Sequence, residues 1–453
     1  MEAATKESRP LFTNQQLCAL IVPLLIEQLL AVAVGMADTM MVSQAGEAAV
    51  SGVSLVDMIN NLIIYLFSAL ATGGAVVTSQ FIGARRIREA GDSAGQLVLL
   101  SLLGGLGILA FCLLCGRPVM RLFFGSITED VMEAGLLYLR ITAVSYPFLA
   151  LYNAGAALFR SVGNSGISMR VSIVMNLINI VGNAIGVLVL HLGVAGVALP
   201  TLISRAVAAV LILRAAEHGA GPVQLHLRGL RLRGHMVRRI LEIGVPSAVE
   251  NGLFQLGRLL VVSIIATFGT AQIAANAVAN NLDGMAILGG QALGLATITV
   301  VGQCVGAGDY AQARRYNRKL MLISWLLIAA SVAAILISLP LLLNLYNISD
   351  EARVLSAQLV RLHNIPAIAL WCLSFTLPNT LRAAGDARFT MVVSIVSMAV
   401  FRIGFSVVLG IWMGMGAIGV WIAMDIDWVC RVICFVARYF SGAWTRKYQN
   451  YQA

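Results

Sequence analysis

The sequence predicts an all-α integral membrane protein in which twelve transmembrane helices form two pseudo-symmetric six-helix lobes around a central cavity. Three observations carry that expectation. Of 453 residues, 59% are apolar and only 11% charged, with a mean hydropathy of +0.87, so there are too few charges to cover a water-facing surface of that size. The apolar residues run in long stretches without period-two alternation, and aromatics make up only 7%, which excludes a transmembrane β-barrel as well as a soluble enzyme. Finally, the pattern occurs twice: Pro23-x-x-x-Glu27 returns 223 positions later as Pro246-x-x-x-Glu250.

A spanning helix needs about 20 apolar residues. In chain order, such runs predict spans at Leu17–Val42, Leu55–Phe81, Ala94–Gly116, Leu136–Phe159, Met169–Leu190 and Val194–Leu213 in the first half. The second half supplies Ile243–Phe268, Val278–Val305, Leu320–Leu345, Leu362–Leu381, Met391–Met413 and Ala417–Tyr439. The first run is longer than a signal-peptide core of roughly 7 to 15 residues and is read as an uncleaved span.

An even number of spans puts both termini on one side. Arg85, Arg86 and Arg88, the stretch from Arg214 to Arg239, Arg314 to Lys319, Arg382, Arg388 and both tails all fall there, whereas the opposite loops hold Arg117, Arg121, Arg140, Arg353 and Arg361. By the positive-inside rule the richer side is cytoplasmic, predicting a multi-pass protein of the plasma (inner) membrane. Topology and anionic lipid then account for the net charge of +10 without a nucleic-acid partner.

The repeat continues along the chain. Gln80, Gly83, Ala84 and Ala90 return as Gln303, Gly306, Ala307 and Ala313, and Arg160, Gly163 and Met169 as Arg382, Gly385 and Met391. Each copy holds an even number of spans, so the copies share one orientation, related by an axis along the membrane normal, and enclose a cavity that opens alternately. The expected organisation is a first lobe over 1–218, a cytoplasmic linker over 219–242 and a second lobe over 243–453.

Cysteine and histidine point away from metal chemistry. All seven cysteines lie in apolar stretches, and the Cys112-x-x-Cys115 pair has no second pair or nearby histidine. Among His191, His218, His226, His235 and His363, no two stand at helical ligand spacing. There is no H-E-x-x-H, nucleophile elbow or phosphate-binding glycine loop, so neither an enzyme nor a cofactor is expected.

Ionisable side chains within spans cost about 2.5 to 3.5 kcal/mol each when unpaired and facing lipid. Glu27, Asp38, Glu250, Asp283, Asp425 and Asp427, with Arg205, Arg258, Arg402 and Arg431, must therefore face one another or a hydrated interior. Asp38 has no basic residue within two helical turns in sequence, which suits a carboxylate that alternates between protonated and ionised forms or binds a hard cation such as sodium. Asn176, Asn179 and Asn183 lie at spacings of 3 and 4 on one helical face, and Thr201 adds a hydroxyl. Alternatively, these amides are interhelical glue. Glu27 and Glu250 hold equivalent repeat positions four residues after a proline, which fits a structural role, and Glu250 shares a helical face with Arg258. The second half differs: Val261 stands at the equivalent of Asp38, and Phe401 and Phe405 replace Asn179 and Asn183. Asp427 and Arg431, four apart with the acid first, read as a structural pair.

The D-T-x-x-V segment at Asp38, the asparagine ladder ending at Asn183, G-V-A-G-V-A-L-P-T at Gly193–Thr201, VGQCVGAGD at Val301–Asp309 and LRAAGD at Leu381–Asp386 together resemble the MATE (multidrug and toxic compound extrusion) family of cation-coupled antiporters. The resemblance covers nearly the whole chain. It implies a V-shaped pair of lobes, proton or sodium entry driving drug export, and a first-lobe cation site at Asp38, Asn179, Asn183 and Thr201. One branch carries an aspartate where Asn183 stands. Another uses an acid in the seventh span and an aspartate in the tenth; here Glu250 is about a turn too early and Trp371–Leu377 holds no acid, so no second-lobe cation site is carried over.

The expected function is antiport: export of amphipathic, cationic organic compounds in exchange for protons or sodium, by one chain acting alone in the bilayer. More acids than arginines among the intraspan residues favours a cationic cargo. The alternative is a flippase for lipid-linked oligosaccharide, whose pyrophosphate would call for a strongly cationic cavity. Glu27, Asn176, Glu250, Asp283, Arg258, Arg402, Asp425 and Asp427 are candidates for the cavity wall.

Overall fold

A computed structural model describes residues 10–42, 47–125, 128–219, 221, 223–225, 231–346 and 348–452; within these, the side chains of 36–40, 42, 47, 48, 447 and 449–452 are not described. The first half holds α1 (Asn14–Val42), α2 (Glu47–Gly83), α3 (Ile87–Phe124), α4 (Glu129–Ser161), α5 (Ser165–Ala184, continued by a π-helical turn Ile185–Val189) and α6 (Ala195–Glu217). The second half opens with α7 (Gly234–Ala266), so the last residues of the expected linker are already helical. Its next span is not continuous as expected. It is built from α8 (Thr270–Ala286) and α9 (Leu288–Gly306), broken at Ile287.

Then come α10 (Tyr310–Asn344) and a span made of α11 (Asp350–Trp371), a π-helical stretch Cys372–Thr376 and α12 (Leu377–Ala383). After it, α13 (Ala387–Ser397) runs on through π-helical Met398–Gly404 and Ser406–Trp412, and α14 (Gly416–Phe440) and a short α15 (Ala443–Gln452) close the chain. Wider π-helical turns free backbone groups and recur at functional positions.

Among the described residues, eleven helices are long and apolar enough to cross a membrane by length and composition. Helix α14, the twelfth span, misses that count because it carries Asp425, Asp427, Arg431 and Arg438. The exterior is apolar: Leu114, Leu122, Ile337 and Phe440 are four-fifths or more exposed, as suits side chains facing lipid.

The lobes meet at the arginine-rich end, where α2 packs against α7 and α9, and α1 against α9. The repeat itself makes this contact. A Cβ on Gly83 would lie 1.9 Å from the carbonyl oxygen of Gln303, and one on Gly306 would lie 1.9 Å from that of Gln80. Only glycine permits backbones this close. The glutamines then cross over: Gln80 Nε2 donates to the Ala383 carbonyl at 2.8 Å, and Gln303 Nε2 to the Ser161 carbonyl at 2.7 Å. Each half thus closes on the other through the same residues, about a pseudo-twofold axis.

Candidate functional site

Above this closure lies a cavity of about 780 Å³. Its first-half wall is Gln28 on α1 with Tyr65, Ser68 and Thr72 on α2; the rest comes from the second half, including Glu250, Asp283, His363, Arg382 and three further arginines.

The predicted first-lobe set is partly assembled. Asn179 Nδ2 donates to Thr201 Oγ1 at 3.0 Å, which in turn donates to the Val197 carbonyl, and Asn183 Nδ2 donates to Asn179 Oδ1 at 3.4 Å. These bonds tie α5 to α6, and both amides are buried. Asn176 turns away and donates to Ser172 on its own helix. Asp38, the residue on which the site centres, lies in the part of α1 whose side chains fall outside the described residues. Another polar set in the first lobe was not anticipated. Asp57 on α2 accepts from Asn60 Nδ2 at 3.0 Å and from the Tyr138 hydroxyl at 3.1 Å, while Tyr146 donates to Asn60 Oδ1. An acid inside an apolar run was the signal, the same one that drew attention to Asp38.

The repeated glutamates sit in matching surroundings. Glu27 Oε1 accepts from Ser168 on α5 at 2.6 Å and interacts electrostatically with Arg160. Glu250 Oε1 accepts from Ser394 on α13 at 2.6 Å, and its Oε2 takes Arg382 at 2.7 Å. Arg382 is the repeat equivalent of Arg160, so each lobe is bolted by a glutamate, a serine and an arginine. The partner of Glu250 is therefore Arg382 and not Arg258, which shares only its helix face; Arg258 stands exposed on the cavity wall with no ion pair among the described residues.

The second lobe concentrates the charges. Asp427, fully buried, takes Arg431 Nε at 3.0 Å as expected, with Arg402 Nε 3.7 Å from its other oxygen and Ser397 donating to it as well. Arg402 and Arg431 both lie over the ring of Phe254, at 5.1 and 5.4 Å. Beside them stands His363, which sequence reasoning passed over because it looked only for metal spacing. Its Nδ1 is 2.6 Å from Asp425 Oδ1 and its Nε2 is 3.9 Å from Asp283 Oδ1. A histidine at the start of the tenth predicted span was the available signal; the structure, in which α11 begins at Asp350, places it well inside the helix.

The charge balance also shifts once position is known. Of the intraspan acids only Glu250 and Asp283 line the cavity, against Arg258, Arg402 and Arg431 with Arg382 added from the end of α12. The wall is mixed, not acidic, because Asp425 and Asp427 sit behind it as partners of His363 and the arginines.

Two duplicated lobes, closed at one end over a polar, buried cavity, define a two-lobed helical membrane transporter. The chain belongs to the MatE family: the family's model matches it twice, over 23–185 and 246–408, the two copies of the repeat. An uncharacterized transporter of Bacillus subtilis, YisQ, is 29% identical over 98% of both chains. The probable multidrug resistance protein NorM of Thermotoga maritima is 23% identical over 96% of this chain and 94% of its own. Among solved structures, a multidrug resistance MATE family transporter of the MOP superfamily in an outward-facing conformation superposes with a TM-score of 0.90 at 22% identity, over 98% of this chain and all of that one.

Proposed function

We propose that this protein is a secondary active antiporter that exports small amphipathic organic compounds, in the manner of multidrug efflux, in exchange for protons or sodium. The observation that carries the reading is the cavity, closed beneath by the reciprocal Gln80/Gly83 and Gln303/Gly306 contact and lined by both repeat copies. Opening that contact while closing the opposite end would pass a bound molecule from one side to the other.

The reading takes the arginine-rich end and both termini as cytoplasmic, and the plasma (inner) membrane as the location. Lobes over 1–218 and 243–453, joined through 219–242, make one chain a complete pathway, so a monomer suffices. Asp38, supported by Asn179, Asn183 and Thr201, is assigned to ion coupling in the first lobe. Ion and cargo need only prefer different lobe arrangements. The multidrug-resistance names of the relatives support this reading over a lipid-linked oligosaccharide flippase.

The test is efflux of a fluorescent lipophilic cation from proteoliposomes under an imposed proton gradient, a sodium gradient, or neither. The expected result is efflux under one gradient only, reduced about tenfold or more by Asp38→Asn. Full efflux by the variant moves coupling away from Asp38, and no efflux of the cation or of an amphipathic anion under either gradient removes the antiport reading.

A further inference from the structure

His363 is wholly buried on α11, its ring against Trp421 and Trp428 of α14 at centroid distances of 4.9 and 4.2 Å. A carboxylate only accepts, so the 2.6 Å contact with Asp425 Oδ1 assigns the ring hydrogen to Nδ1. In the neutral ring this leaves Nε2 as a bare acceptor. It points at Asp283 Oδ1 on α8, 3.9 Å away, which is also an acceptor, and neither atom has a hydrogen-bond partner among the described residues. Two buried acceptors facing each other with no donor between them is a costly arrangement. One proton relieves it.

We infer that His363 Nε2 and Asp283 Oδ1 form a proton-binding site in the second lobe, at the cavity wall, distinct from the first-lobe residues assigned above. A hydronium of the cavity water gives its proton to the Nε2 lone pair: the N–H bond forms as the donor's O–H bond breaks, and water is left behind. The imidazolium then donates to Asp283, shortening the contact toward about 2.8 Å. That draws α8 toward α11 one turn before the break at Ile287, where the α8–α9 span can flex.

The surrounding charges make the site responsive. Asp283 interacts electrostatically with Arg258 of α7 and with Arg402 from the π-helical stretch after α13. From α14 come Asp425, Asp427 and Arg431, and α10, on the other side of α11, has no ionisable residue from Leu320 to Leu345. Three carboxylates thus face three guanidiniums, and one added proton tips a balanced cluster positive beside the cargo space. A bound cation is then repelled as the proton enters, the sign antiport requires. A metal cation fits poorly, since hard ions take six or more oxygen ligands and guanidiniums flank these two carboxylates.

The link to export rests on the antiport reading, but protonation is measurable without transport. Protonated histidine quenches adjacent indoles, so tryptophan emission of the purified protein in detergent is followed as pH is lowered from about 9 to about 5. The wild type should show a step in emission that is absent in His363→Gln, whose amide can still donate to Asp425. In Asp283→Asn, which keeps the fold's packing while removing the facing charge, the step should need about tenfold more protons. An unchanged step in His363→Gln, or an unmoved midpoint in Asp283→Asn, overturns the site. A wild-type step with these shifts but no gradient-driven efflux leaves the proton site standing and removes antiport; efflux driven by a proton gradient without such a step does the reverse.

Discussion

The two lobes share a scaffold and differ in chemistry. Both use a proline followed by a glutamate, bolted by serine and held near an arginine: Glu27 with Ser168 and Arg160, Glu250 with Ser394 and Arg382. Both contribute a glutamine and a glycine to the closure between them. Yet where the first lobe links neutral amides, Asn179 and Asn183 with Thr201, the second has Phe401 stacked on Phe405 and gathers its charges elsewhere, around Asp427 and His363. The difference teaches that the repeat preserves the closure and its bolts, while the polar chemistry inside each lobe is free to diverge.

The comparison is broken most severely at Asp427. Asp427→Asn leaves Arg402 and Arg431 buried without their carboxylate and is expected to destabilise the protein by about 3 to 5 kcal/mol, read as lost yield and a lower thermal transition in detergent. An amide removed from the first lobe tests the other side of the contrast. Before that comes the shared closure: Gly306→Leu drives a side chain into the Gln80 backbone, costs the closed state about 1 to 3 kcal/mol and shifts the lobe equilibrium roughly tenfold or more. Cysteine crosslinking across the arginine-rich end should fall accordingly. Asn179→Leu loses the bond to Thr201 and is expected to cost about 1 kcal/mol, measured by thermal unfolding. Glu27→Gln is the smallest change, because its amide oxygen still accepts from Ser168, and the shift should stay below about 0.5 kcal/mol. A large loss there would show that the charge itself matters and set Glu27 apart from a structural bolt.

Spans and repeat were readable from sequence because hydropathy and a fixed offset are local or periodic signals. The same holds for Asp427 and Arg431, one helical turn apart. Pairings between distant segments were not readable: His363 meets Asp425 across 62 positions, and Glu250 finds Arg382 across 132, a residue that charge counting had placed in a basic turn. Nor does hydropathy register the break at Ile287 or the π-helical stretches, since a change in helix geometry leaves no mark on composition. Counting acids against arginines misjudged the cavity wall for a related reason. Composition does not say which charges stand at the surface of a cavity and which stand behind it.

The central claim is that the lobes separate and rejoin at the Gln80/Gly83 and Gln303/Gly306 contact. Arg88 on α3 and Ala311 on α10 are exposed, belong to opposite lobes, and occupy equivalent repeat positions beside that contact. Spin labels at these two positions, in protein whose native cysteines are replaced, report the distance across the closure by pulsed electron resonance. The account predicts two populations, one short and one long, whose proportions change with pH or with added cargo. A single short distance under every condition would contradict it.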